Sequence, residues 1–317
     1  MTSRAPSRRS ILIAGAGLIG IGAAGCYRVS PVIDAGARTT PEITVTPRRR
    51  AALNTETALA SAARQAAALA SGSRTAVLSA LAQMHTLHAG VLAQADPLAG
   101  QNADSDPVIT PTPVASASAP LPQLLTDEKR AADQYVHDAL AADTPGEALL
   151  WASLAVFASG ASAAGAAPVR GDGEPVSLPV EDPTSARQVL LSRLNALVAG
   201  LEWGVGRLPA TDSLRSIGTR RLDAVATQQA RLRALLREAS ATPTPALPGY
   251  PMPATPSTPR STRELWVSLE LGVLSGHGRV VAAASGTERS TAITAMGDQA
   301  AQVTGYGSGM PAWPGWV

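Results

Sequence analysis

Cysteine, phenylalanine and lysine each occur once in 317 residues, as Cys26, Phe157 and Lys129, and aromatic residues make up 3% of the chain. One cysteine cannot close an internal disulfide. So few aromatics argue against the aromatic-rich core of a β-sandwich and for helices packed closely on alanine, with leucine and valine as filling. Alternation of apolar and polar residues is nearly absent outside Ile43-Thr44-Val45, so strands are not expected. Basic clusters with interleaved aromatics are missing too, which excludes a nucleic-acid-binding reading. There is no Gly-x-Ser-x-Gly elbow and no phosphate loop. A Gly-x-Gly-x-x-Gly string at Gly15 to Gly20 lies inside an apolar run rather than between a strand and a helix, so it is not a nucleotide motif. Arg170-Gly171-Asp172 reads as a loop tripeptide.

The N-terminal stretch is the most informative part. Arg8 and Arg9 precede an apolar run from Ile11 to Gly25 that ends in small residues, the layout of a signal peptide. The run falls short of the roughly 20 apolar residues that a membrane span needs. Ser7-Arg8-Arg9-Ser10-Ile11-Leu12 resembles the twin-arginine export motif, a route that carries folded proteins; an ordinary basic leader would show the same charge. Ala23-Ala24-Gly25-Cys26 resembles a bacterial lipobox, in which the cysteine is acylated and becomes the new N-terminus. Two acyl chains anchor a protein stably, because each buried CH₂ contributes about 0.8 kcal/mol. The expectation is an exported protein held by lipid on the outer face of the cytoplasmic membrane. The leader carries Arg4, Arg8 and Arg9 and no acid, so without it the formal charge of +2 becomes −1. The basic pI is therefore no argument for a polyanionic partner.

Five segments are expected: a signal peptide over 1–25, a flexible tether over 26–50, a first helical bundle over 51–166, a linker over 167–182 and a second bundle over 183–317. Pro31, Pro41 and Pro47 mark the tether, and Arg48-Arg49-Arg50 at its end either touches anionic headgroups or is a solvated run before a helix. Helices are expected at 51–71, 74–95, 121–142 and 145–166, then at 183–207, 212–241, 262–285 and 287–301. Leu190, Leu194, Leu197, Leu201 and Val205 keep a helical stripe, as do Leu222, Val225, Leu232 and Leu236. Asp182-Pro183 and Thr211-Asp212 supply starts. Each half has a proline-rich stretch between its second and third helices, at 96–120 and 242–260, the latter with seven prolines. A helix of about 22 residues is about 33 Å long. An extended connection of about 20 residues spans more than that. Helix, helix, long crossover, helix, helix is the connectivity of ferritin-like four-helix bundles. The fold class is therefore all-α, two such bundles in tandem.

Leu197-Val198-Ala199-Gly200-Leu201-Glu202-Trp203-Gly204-Val205, Arg231-Leu232-Arg233-Ala234-Leu235-Leu236, the crossover and the closing Trp313-Pro314-Gly315 carry a resemblance. The second half is similar to a ferritin-like domain of unknown function in actinobacterial proteins, over roughly 185–317. The first half resembles the divergent helical partner that precedes it in lipoproteins of that kind. The resemblance implies no reaction.

Di-iron carboxylate bundles need a glutamate from each of two helices and Glu-x-x-His from each of the others. The second half lacks this: Glu202 flanks the leucine stripe, Gln229 stands where a ligand is needed, Glu270 and His277 lie two turns apart, and Glu288 opens the last helix. In the first half His85 and His88 fall in the stripe Leu78, Leu81, His85, His88, Leu92, and Glu128 falls in the stripe Leu121, Leu125, Glu128, Ala132, Tyr135. Two imidazoles and a carboxylate suit one zinc or iron ion. The same residues also suit a buried His–Glu hydrogen bond that sets helix register. The aromatic tail from Tyr306 to Trp316 is expected to bury Trp313 as a cap on the second bundle, or to dock a partner. Two functions stand: a non-catalytic envelope lipoprotein that binds an unknown protein or small molecule and needs no cofactor, or a metal-binding, oxidase-like protein using His85, His88 and Glu128.

Overall fold

A computed structural model describes residues 45–100, 107–112, 120–161, 163 and 166–316. The leader with Arg8 and Arg9 and the lipidation residue Cys26 lie outside the described residues. Among these the fold is all-helical, with eight α-helices and no strand. They are α1 (Pro47–Leu69), α2 (Ser73–Ala93), α3 (Leu121–Leu140), α4 (Pro145–Gly160), α5 (Pro183–Arg207), α6 (Ser213–Glu238), α7 (Pro259–Ala283) and α8 (Gly286–Gly305).

Local sequence sets the starts. Thr46-Pro47, Thr144-Pro145, Asp182-Pro183 and Thr258-Pro259 each place a capping oxygen immediately before a proline in the first turn. The side chain takes an orphan amide, as when Thr46 Oγ1 accepts from Arg49 N at 3.2 Å. Proline there loses no hydrogen bond and already holds the helical φ. Because Thr46 caps it, α1 begins before residue 51. Arg48 to Arg50 therefore lie in the helix and not in the tether. Arg49 is buried, and its Nε and Nη1 donate to Leu92 O and Ala95 O at 2.8 and 3.2 Å, satisfying carbonyls at the end of α2. Arg48 Nε faces Asp138 at 3.4 Å.

Contacts along the helices give their directions. Arg49 meets Leu92 while Glu56 meets His85 and His88, so α1 and α2 are antiparallel. Arg48 meets Asp138 and Glu56 meets Tyr135, so α1 and α3 are antiparallel too, and α2 and α3 run the same way. The second half repeats this. Gln229 binds Asn195, and the site of Gly218 abuts Val205, so α5 and α6 are antiparallel. Trp266 binds Gly200 O and Gly276 lies on Leu190, so α7 is antiparallel to α5. The connection between α6 and α7 starts beside Gln188, which binds Thr242 O and Thr244 N, and passes Met252 next to Gly200. It therefore runs the length of α5 and delivers α7 parallel to α6.

The two halves share a core. Helix α4 packs on α3 and also on α7 and α8, and it is buried on every side from Ala148 to Ala158. That matches a run, Ala-Leu-Leu-Trp-Ala-Ser-Leu-Ala-Val-Phe-Ala, with no polar face. Residues 167–182 are extended and tied to both halves: Val169 N donates to Met310 O, and Ser177 N to Leu98 O, both at 2.9 Å.

Candidate metal centre

Glu56 faces the interior of the first half from the middle of α1, one turn after Leu53 and one turn before Leu59 and Ala60, all of them buried. Its carboxylate meets both histidines of α2. Glu56 Oε2 accepts from His85 Nδ1 at 2.8 Å and from His88 Nδ1 at 3.0 Å, while Oε1 accepts from Tyr135 OH at 2.7 Å. The spacing of His85 and His88, three residues apart on a helix, puts both rings on one face. Glu56 and Glu128 are 1% exposed, and His85 and His88 are fully buried. Phe157 from α4 fills the fourth side, edge-on to His85 at 5.6 Å and to His88 at 4.7 Å.

The outer nitrogens are held differently. His88 Nε2 lies 2.8 Å from the carbonyl of Ala312, which can only accept, so this nitrogen carries a proton. His85 Nε2 lies 3.6 Å from Glu128 Oε1. That exceeds a hydrogen bond. His85 Nε2 and both Glu128 oxygens have no hydrogen-bond partner, three buried polar atoms facing one another. Unsatisfied groups of this kind are costly enough to ask for an explanation.

Charge holds the cluster together. Burial disfavours a charged His85, but the negative charge of Glu56 and the nearness of Glu128 outweigh it and bring its pKa up to about 9. Burial likewise disfavours an ionised Glu56, yet the two imidazoles prevail and hold it well below the ordinary carboxylate range. The Tyr135 hydroxyl is pushed well above its usual value, first by burial and then by Glu56.

Glu56, His85 and His88 each offer a ligand atom within 4.8 Å of the other two, close enough to hold one ion. Of the ligands expected from sequence, His85 and His88 come together here. Glu128 approaches the opposite edge of the His85 ring. Sequence reasoning missed Glu56, although an acid between buried positions of an alanine-rich stripe was a readable signal. Nothing in the sequence pointed to Tyr135 as its partner or to the Ala312 carbonyl.

The corresponding place in the second half contains its own cation. Arg221 of α6 donates through Nε and Nη2 to Glu270 of α7 at 2.8 and 2.9 Å. Gln299 of α8 donates to Glu270 Oε2 at 2.7 Å and accepts from Arg221 at 3.1 Å. His277 is buried nearby; burial and the Arg221 charge hold its pKa down to about 4. Gln229 binds Asn195 instead of a ligand, Glu202 is exposed, and Glu288 pairs with Arg187. Trp313 is 2% exposed and packs against His88, with ring centroids 4.5 Å apart and the rings tilted by 54°, so the indole adjoins the first half's cluster.

Residues 201–317 match the model of a family described as a domain of unknown function (DUF4439). The match runs from the end of α5 to the tail and leaves out Glu56, His85, His88 and Glu128. That stretch is thus an uncharacterised domain. No curated protein and no solved structure matches the chain.

Proposed function

We propose that this is an exported, lipid-anchored, non-catalytic protein of two ferritin-like bundles whose first bundle holds a single divalent ion, zinc or iron(II). Supporting the bundle reading are the two repeated sets of helix directions and, in the second half, a connection that runs the length of α5. Supporting the anchor is the sequence from Arg8 to Cys26. One observation carries the metal reading. Each of the three ligand residues has its second polar atom turned to an outer partner: Glu56 to Tyr135, His88 to Ala312 O, His85 towards Glu128. Metal-bound histidines are oriented in this way. Ligating imidazoles must be free of protons at the ligating nitrogen, so binding releases protons. The donors would spread from 2.8 and 3.0 Å to about 3.4 Å, the separation that tetrahedral bonds of about 2.1 Å require. Phe157 leaves no acid on the fourth side, so a bimetallic oxidase centre is not supported.

A second reading is favoured by those same short separations, which are hydrogen-bond lengths: a closed Glu56–imidazole network that fixes the register of α1, α2 and α3. Metal analysis decides between them. Natively exported protein, and protein refolded with zinc or iron(II), are each assayed for bound ion. About one equivalent, lost in Glu56→Gln and His88→Ala, supports the metal centre. Metal-free wild type after both preparations refutes it.

A further inference from the structure

The C-terminal segment is buried where it reaches into the first half's cluster. Ala312 lends its carbonyl to His88 Nε2, and Trp313 lies over the ring that Phe157 holds from the side. The segment is itself fastened. Ala312 N donates to Val169 O at 2.8 Å, and Val169 N donates to Met310 O. Gly315, at φ 92°, lies against the backbone of Gly278 in α7 and the Leu149 side chain of α4, a fit that only glycine at both positions allows.

From this we infer that Met310 to Trp316 is a metal-responsive clasp: the ion at Glu56, His85 and His88 and the docked tail stabilise each other. The inference rests on the metal-centre reading above and adds its regulation. The physical link is His88. The Ala312 carbonyl keeps the proton on Nε2, which leaves Nδ1 as the nitrogen that can ligate. An ion on Nδ1 draws charge out of the ring and makes Nε2–H a stronger donor to Ala312 O. Trp313 packs against the ring that makes both contacts, with ring centroids 4.5 Å apart. Binding free energies are reciprocal, so the factor by which the tail tightens the ion equals the factor by which the ion tightens the tail. Ala312 and Trp313 are positioning residues; they touch the ligand's ring, not the ion. The arrangement makes docking of the C-terminal segment depend on occupancy of a site in the first half.

The test uses the full chain, refolded without metal and with zinc, in wild type, Trp313→Leu and Trp313→Phe. Amide hydrogen exchange is read at Val169 and Ala312, whose N–H groups tie the tail to the 167–182 segment, and at Trp316, whose N–H closes a turn within the tail on Trp313 O. Zinc affinity is read by competition with a chelator. Zinc is expected to slow exchange at these amides about tenfold, and Trp313→Leu to weaken zinc about tenfold, with Trp313→Phe near wild type. Zinc that binds one-to-one while these amides exchange at an unchanged rate overturns the clasp and leaves the metal centre standing. Wild type that binds neither zinc nor, in the same assay, iron(II) overturns both. Should Trp313→Leu fail to fold, the comparison of wild type with and without zinc decides by itself.

Discussion

Replacing Glu270 by leucine is the sharpest test of how the second half is held together. Arg221 is 6% exposed and Glu270 is fully buried, and the two meet through a pair of parallel hydrogen bonds. Leucine has nearly the right volume, so little cavity forms. What remains is a guanidinium out of water, with Gln299 Oε1 as its one remaining side-chain acceptor and a buried imidazole near by. Removing one partner of a buried pair costs about 3–5 kcal/mol, since the surviving charge keeps its desolvation penalty and loses its compensation. For a unit of this size each kcal/mol shifts the melting temperature by about 2–4 °C, so Glu270→Leu lowers it by roughly 6–20 °C. The double variant Arg221→Met/Glu270→Leu removes both charges. It recovers most of the loss and retains a cost of about 1 kcal/mol for the Gln299 oxygen left without its donor. The measurement is urea unfolding of wild type, both single variants and the double variant, read as a cycle. A Glu270→Leu protein within about 1 kcal/mol of wild type, or a double variant worse than either single, would refute the reasoning.

Three further predictions follow from particular contacts. His277 has a folded pKa of about 4, against about 6.5 when unfolded. The unfolded chain therefore binds the extra proton, and stability falls as pH drops through that window, by about 2 kcal/mol between pH 7 and 5. His277→Gln should flatten this dependence in urea midpoints, and equal slopes in both proteins would contradict the assignment. Gly204 on α5 faces Trp266: an added Cβ would sit 2.6 Å from Trp266 Nε1 and 2.8 Å from Thr262 Cγ2. Gly204→Ala should therefore cost about 1–3 kcal/mol, where glycine-to-alanine in an open helix gains about 1; a more stable variant would show the packing to be loose. Cys26→Ser should move the protein from the membrane fraction to the soluble fraction, with no acylated N-terminal mass; a variant that stays with the membrane would exclude lipid as the anchor.

Helix positions were the most legible feature, because their signals are local. The expected start of α5 at Pro183 coincides with the observed one, since Asp182 both caps the helix and precedes proline. The start of α1 was placed late. The triplet Arg48 to Arg50 reads as solvated charge until Arg49 is seen capping α2, a contact between residues over forty positions apart. The histidine pair on α2 was visible as two imidazoles in a leucine stripe. Their expected third partner was Glu128; the carboxylate that meets both rings is Glu56, whose place between buried positions of α1 gained meaning only once α1 and α2 were seen to face each other.

Amino-acid order alone decided the all-helical class, the eight segments and the long connections, each a matter of periodicity, capping or composition within one stretch of chain. It could not decide which polar side chains on the inner faces would meet. That depends on how far each helix slides and rotates against its neighbours. Tertiary packing set Glu56 between two imidazoles, gave the second half an arginine in the equivalent place, and brought Trp313 against His88. Contacts across hundreds of residues, such as Ala312 with His88, leave no local trace, because neither partner needs the other to form its own secondary structure.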